Sequence, residues 1–174
     1  MIDEFKGILP AIDDSAFIAP TAVIIGDVRI GAESSIWFNV VIRGDVNFIR
    51  IGDRTNIQDL TILHVTGSKG EGDPGQPLHI GNDVTVGHRV TLHGCTIEDG
   101  AFIGMNSMVM DRCVVGAGSV VAAGTLVPEG TVIPPGTLWV GSPAKFKRVI
   151  TAAEVSRFAR IAVSYRNLAK TYMK

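Results

Sequence analysis

The most regular feature of the sequence is an apolar residue at every sixth position. The series runs in four blocks: Ile18, Ile24, Ile30, Ile36, Ile42 and Phe48; Ile51, Ile57 and Leu63; Ile80, Val86 and Leu92; and Ile97, Ile103, Val109, Val115, Val121, Val127 and Ile133. A period of six matches neither an α-helix nor a simple strand. It suits a short strand followed by a corner, so that three units close a triangular coil of about 18 residues. We therefore predict an all-β solenoid whose coils stack as parallel strands about 4.8 Å apart.

Two segments depart from the repeat. Residues 66–77 read TGSKGEGDPGQP and have no apolar period, so they predict a loop that leaves one coil. Thr151 and Glu154 form a capping-box pattern, after which apolar residues recur at helical spacing. This pattern predicts one amphipathic helix over about 151–172.

These boundaries divide a single domain into two parts. We expect a parallel β-helix over residues 1–140, with the loop excursion at 66–77, and a linker and C-terminal helix over residues 141–174. About six coils fit between Ile18 and Trp139 at three units to a coil.

Composition excludes several classes of protein. The net charge of the 174 residues is −1 with both signs interspersed, unlike the basic surface of a nucleic-acid binder. No apolar run approaches the roughly 20 residues that cross a bilayer, so we expect no membrane association. Two cysteines and no apolar leader segment favour a cytoplasmic protein with reduced thiols.

The register of the repeat gives two of the four histidines a special relation. If the loop inserts about 11 residues, three units separate Leu63 from Leu92, and His93 stacks on His64 one coil away. Two imidazoles on neighbouring strands about 4.8 Å apart can bind one metal ion.

His88 lies one face away from that pair and reaches it only from a second copy of the chain. A homotrimer, with one shared site at each subunit boundary, satisfies this need by rotational closure. Three histidines with an open fourth position are a ligand set of catalytic zinc. His79 fits no part of the pattern and is expected to be structural.

Polar residues near the histidines make the pattern more specific. Arg43-Gly44-Asp45 and Asn56-Ile57-Gln58-Asp59 interrupt aliphatic stretches, and Tyr165-Arg166-Asn167 lies on the predicted helix. Together with His64, His88 and His93 these motifs resemble the γ-class carbonic anhydrase family over nearly the whole chain. The resemblance implies a left-handed β-helix, a handedness that the spacing alone does not indicate.

The resemblance also implies roles for individual residues. His64 and His93 of one subunit and His88 of the next would hold zinc, or iron(II) or cobalt(II) as in some members. Gln58 would hydrogen-bond the metal-bound hydroxide that attacks carbon dioxide to give bicarbonate. Arg43 and Asp59 would pair across the subunit boundary, with Asp45 supporting the arginine and Asn56 in the same polar group. Tyr165 and Asn167 would border the substrate pocket.

The sequence departs from that family where the proton leaves the site. Well-characterised members have a glutamate directly after the arginine-glycine-aspartate motif, and this chain has Val46. Glu71 is the only glutamate of the loop and is the candidate proton shuttle. This departure makes the turnover rate an open question.

Three other functions remain open. Trp139–Lys145 resembles a segment of hexapeptide acyltransferases, which typically use a single histidine as base. A metal-activated water could instead hydrolyse a thioester. The third alternative is a catalytically weak, metal-binding trimer that acts as an assembly module.

Overall fold

A computed structural model describes residues 1–173 of the chain as a left-handed parallel β-helix with one C-terminal helix. The strands are short because each occupies one side of a triangular coil. They are β1 Ile2–Asp3, β2 Ala11–Ile12, β3 Phe17–Ile18, β4 Val23–Ile30, β5 Ser35–Ile36, β6 Val41–Ile51, β7 Asn56–Ile57, β8 Ile62–His64, β9 Leu78–Ile80, β10 Thr85–Val86, β11 Thr91–His93, β12 Thr96–Ile97, β13 Phe102–Ile103, β14 Met108–Val109, β15 Val114–Val115, β16 Val120–Val121, β17 Leu126–Val127, β18 Val132–Ile133, β19 Thr137–Val140 and β20 Lys145–Val149.

The strands form three faces. Face 1 contains β1, β8, β11, β14, β17 and the first halves of β4 and β6; face 2 contains β2, β9, β12, β15, β18 and the second halves of β4 and β6. Face 3 contains β3, β5, β7, β10, β13, β16 and β19. Each face thus stacks seven parallel strands. β1 and β2 lengthen faces 1 and 2 by one strand beyond the roughly six coils expected.

One inward-pointing aliphatic residue per strand builds the core. Ile42, Leu63 and Leu92, for example, are Cα partners on face 1, and all three have no exposed surface. Burying each such side chain stabilises the fold by about 1.5–3 kcal/mol. The six-residue period is therefore the pattern of core positions, as predicted.

Glycine serves two different purposes in the coils. A Cβ at Gly104, which directly follows a core residue, would lie 2.4 Å from the backbone nitrogen of Ala123 in the next coil, so stacking distance excludes a side chain. Gly118 instead occupies a corner with a left-handed φ of +61°. Other corners adopt the same backbone without glycine, including Leu60 and Arg89 with φ of +63° and +59°.

Two insertions interrupt the 18-residue coil. Leu63 and Leu92 are Cα partners although 29 residues separate them, which confirms the loop insertion predicted at 66–77. In β6 the register shifts by three residues between Gly44 and Ile49. Because of this bulge, Ile49 is fully buried and Phe48, expected in the core series, is only partly buried against His79.

The C-terminal segment packs on face 3. β20 pairs antiparallel with β19, although the sequence pattern of the linker predicts no strand at the position of β20. Helix α1, Ala152–Tyr172, begins at the predicted capping box of Thr151 and Glu154 and packs against β3, β5, β7 and β10. Within residues 1–173, no helix is both long and apolar enough to cross a membrane.

Candidate metal centre

His64 and His93 stand side by side at the end of face 1. They are Cα partners on β8 and β11, which confirms the register predicted from the repeat. Their ring centroids are 5.1 Å apart, and His64 Nδ1 lies 3.0 Å from His93 Nε2. Two ring nitrogens therefore face each other across one coil spacing.

The opposite nitrogen of each ring contacts a carboxylate. His64 Nε2 lies 3.1 Å from Asp45 Oδ1, and His93 Nδ1 is hydrogen-bonded to Asp111. Asp45 reaches His64 because the three-residue bulge in β6 carries it outward, and it also pairs with Arg43. When a carboxylate accepts the N–H of its imidazole, the other ring nitrogen is an acceptor.

This donor set suits a divalent metal ion. In the tautomers that donate to both carboxylates, the two facing nitrogens are both acceptors, and a cation stabilises the pair. In the other tautomer of either ring, one of these nitrogens donates to the other across the 3.0 Å contact. Two nitrogens bound tetrahedrally to the same zinc lie about 3.3 Å apart at a Zn–N distance near 2.0–2.1 Å. The observed 3.0 Å is close to that separation.

His88 lies at the other edge of face 1, at the corner where the chain leaves β10. Its Nδ1 is 2.7 Å from Asp59 Oδ2, and its Nε2 is 3.3 Å from the Tyr165 hydroxyl. Among residues 1–173 of a single chain, no three histidine, cysteine or acidic side chains converge in a metal-binding arrangement. His88 thus has the same histidine–carboxylate form as His64 and His93 but stands apart from them.

Burial and hydrogen bonding shift the pKa values of three groups at this centre, His64, Asp45 and Asp111. Burial lowers the pKa of His64 and favours its neutral form. Burial alone would raise the pKa values of Asp45 and Asp111, but hydrogen bonds outweigh it and both values are lowered. The donors are Arg43 and His64 for Asp45, and His93 and Thr66 for Asp111.

A buried polar chain lies beneath the corner of His88. The Gln58 amide donates to Asn56 Oδ1 at 3.0 Å, and the Asn56 amide donates to Thr85 Oγ1 at 2.8 Å. Gln58 is 4% exposed and Asn56 2%. These contacts fix the orientation of the Gln58 side chain.

The structure places the other predicted residues as follows. Tyr165 contacts His88 and packs edge-on against Trp37, so it both packs and borders the candidate centre. Asn167 lies on the exposed side of α1. Glu71 is exposed on the loop, and Val46, at the position of the missing glutamate, is 52% exposed.

Arg43 and Asp59 have separate partners within the chain. Arg43 pairs with Asp45, and Asp59 contacts His88 and accepts from the backbone N–H of Phe38 at 3.3 Å. Their predicted contact across a subunit boundary stays a prediction.

Asp111 is a residue of this centre that the sequence motifs do not reveal. Its position in the repeat is the one feature that could indicate it. Leu92 and Val109 are Cα partners, so residue 110 lies over His93 and Asp111 follows at the next position. The repeat does not show which way a corner side chain turns, and so this contact was not predicted.

The fold and its histidine–aspartate pairs define a hexapeptide-repeat protein with a candidate metal centre. The family model described as Dynactin subunit 5 matches residues 15–170. A Geobacillus kaustophilus carbonic anhydrase is 52% identical over 165 residues, which cover 95% of this chain and 87% of that protein. Gamma carbonic anhydrase 1, a mitochondrial protein of Arabidopsis thaliana, is 47% identical over 94% of this chain.

The chain belongs to the γ-class carbonic anhydrase family. It spans 59% of the length of the Arabidopsis relative. Among solved structures, a Bacillus cereus protein with a provisional acetyltransferase assignment superposes with a TM-score of 0.93 at 46% identity, covering 99% of this chain and 96% of that one.

Proposed function

We propose that this protein is a metal-dependent carbonic anhydrase, which interconverts carbon dioxide and bicarbonate at a site shared between subunits of a homotrimer. The main supporting observation is that an aspartate contacts one ring nitrogen of each of His64, His88 and His93 and leaves the other nitrogen for a ligand. Zinc is the proposed metal, with iron(II) or cobalt(II) as alternatives, because imidazole suits all three. Family membership and this ligand set together support the proposal.

Bound there, a divalent metal would lower the pKa of water from 15.7 to about 7 and so supply a nucleophile at neutral pH. The chain's own residues would hold and orient the reactants. The three histidines would bind the metal, and Asp45, Asp59 and Asp111 would hold their rings in one orientation. Gln58 would direct its fixed amide toward the reacting oxygen, and Tyr165 and Asn167 would border the pocket.

The proton released by hydration needs an exit, and we propose Glu71 for that role. The Asn47 amide anchors the loop through the carbonyls of Thr66 and Pro74 at 3.1 and 2.9 Å, while Glu71 lies near its exposed tip. Val46 carries no titratable group, so a slower proton transfer than in relatives with a glutamate at that position is expected.

The outward side of face 1 supports the trimer. Apolar side chains that would normally avoid water are about half exposed there: Leu60, Ile62, Met105, Met108 and Met110. His88 lies at one edge of this face and His64 and His93 at the other. Three copies with parallel solenoid axes, each turning face 1 toward a threefold axis, would cover the apolar surface and bring opposite edges together.

Metal content and carbon dioxide hydration of the purified assembly test this function. The wild-type protein, reconstituted with zinc, cobalt(II) or anaerobic iron(II), should bind about one metal per subunit and accelerate hydration in stopped-flow assays. His88→Ala should lose most of the metal and the activity. His79→Ala is the matched control, since His79 packs on Phe48 at face 2.

The proposal fails if metal-loaded wild-type protein hydrates carbon dioxide no faster than buffer. Metal bound without that activity would favour thioester hydrolysis, which needs the same activated water. The Dynactin subunit 5 match and the valine at position 46 would in that case also favour an assembly role.

Acyl transfer is the second candidate, because a protein 46% identical to this chain carries an acetyltransferase assignment. Coenzyme A binding by metal-free protein would favour it. The two buried, unpaired cysteines support a reducing compartment, and we propose the cytoplasm.

A further inference from the structure

We propose that Asp111 is a positioning residue for the metal ligand His93, and that Thr66 holds Asp111 in place from the base of the loop. The inference rests on the proposed metal centre and deepens it. It makes the 66–77 loop part of the support of that centre.

Asp111 lies at the junction of three elements. Its Oδ1 contacts Nδ1 of His93 on β11, and its Oδ2 accepts the Thr66 hydroxyl at 2.6 Å. Asp111 itself follows β14 and belongs to the next coil. Both carboxylate oxygens are thus engaged, which restrains rotation of the Asp111 side chain.

The loop base is closed tightly around this contact. Thr66 and Gln76 exchange backbone hydrogen bonds of 3.0 and 2.8 Å. A Cβ at Gly94, directly after His93, would lie 2.7 Å from Asp111 Oδ1 and 2.8 Å from the Gln76 Cβ. The absence of a side chain at position 94 therefore lets the loop base and the carboxylate both approach His93.

The physical consequence is a fixed imidazole. A carboxylate that accepts the Nδ1 proton fixes the tautomer, leaves Nε2 free for the metal and makes that nitrogen more basic. Asp111 restrains the His93 ring in this way, as Asp45 restrains the His64 ring. Only Asp111 is tied to the loop, since its second oxygen bonds Thr66.

The test measures zinc and cobalt(II) affinity of the full-length assembly by competition with a chromophoric chelator. Asp111→Ala should raise the metal dissociation constant about ten- to a hundredfold, and Asp111→Asn should raise it less because its amide oxygen still accepts from Nδ1. Thr66→Val should raise the metal dissociation constant about three- to tenfold, whereas Thr66→Ser, which keeps the hydroxyl, should leave it at the wild-type value. Asp14→Ala, before β3, and Thr171→Val, near the end of α1, are controls at exposed positions.

The cobalt(II) absorption spectrum separates positioning from general destabilisation. A displaced His93 should change the ligand-field bands of Asp111→Ala more than those of Asp111→Asn, while circular dichroism and oligomeric mass stay those of the wild type. Unchanged affinity and spectrum in both Asp111 variants would overturn the inference while leaving the proposed function intact. A wild-type protein that binds none of these metals would instead overturn the proposed function.

Discussion

At the scale of single residues, polar partners decide what each site side chain can do. The role proposed for Gln58 requires its amide to point in one direction, and Asn56 determines that orientation by accepting from the Gln58 amide at 3.0 Å. Asn56 is in turn held by Thr85. Because these hydrogen-bonded side chains are buried, removing one of them leaves the polar group of its neighbour without a partner.

Asn56→Ala should therefore cost about 1–3 kcal/mol in the free energy of unfolding. It should also lower the carbon dioxide hydration rate, because Gln58 loses its orientation. Urea denaturation and stopped-flow hydration measure the two effects. In the double variant Asn56→Ala/Gln58→Ala the losses should be smaller than the sum of the single ones, whereas strict additivity would show that the contact carries no coupling.

At the scale of elements, insertions and caps modify a regular scaffold. The β6 bulge brings Asp45 to His64, the loop brings Thr66 to Asp111, and α1 brings Tyr165 to His88. Each contact lies where an insertion interrupts the 18-residue coil or where the C-terminal helix covers it. The start of α1 is held by Glu154, whose carboxylate accepts from Arg148 and from the backbone N–H of Thr151.

Glu154 predicts a pH dependence of helix stability. Hydrogen bonds from Arg148 and from Thr151 lower its pKa from 4.5 to about 2. A lowered folded-state pKa means that the stabilising contribution is complete above pH 4.5 and is lost as pH falls through about 2. Glu154→Gln keeps the capping geometry but removes the charge.

Ellipticity at 222 nm reports mainly on α1, the one helix of residues 1–173. The urea midpoint of Glu154→Gln should be below that of the wild type at pH 7, and the difference should shrink toward zero between pH 4.5 and pH 2. A difference that stays constant with pH would contradict this account of the charge.

At the scale of the whole molecule, the candidate centre is divided between two edges of one face. A trimer in which His64 and His93 come from one subunit and His88 from the next makes a specific prediction for mixed assemblies. Subunits with His88→Ala and subunits with His64→Ala/His93→Ala should each bind little metal alone. Reassembled together in equal amounts, they should recover about a quarter of the wild-type metal, since one boundary in four then combines intact edges.

Metal analysis of trimers isolated after denaturation and refolding gives this measurement. Refolding each variant separately is the control. No recovery in the mixture, with wild-type protein regaining its metal under the same conditions, would mean that the three ligands do not come from two subunits.

What the sequence by itself determined is the repeat and its consequences. Every repeat unit has nearly the same length, so the positions of apolar residues predict the core, the stacking of His93 on His64, the loop insertion and the helix cap. The tertiary structure decided the contacts that depend on side-chain direction at corners and insertions. Asp111, Thr66, the partial burial of Phe48 and the β20 pairing belong to this second group. A period encodes which backbones are neighbours, whereas the orientation of a corner side chain depends on the three-dimensional packing of elements distant in sequence.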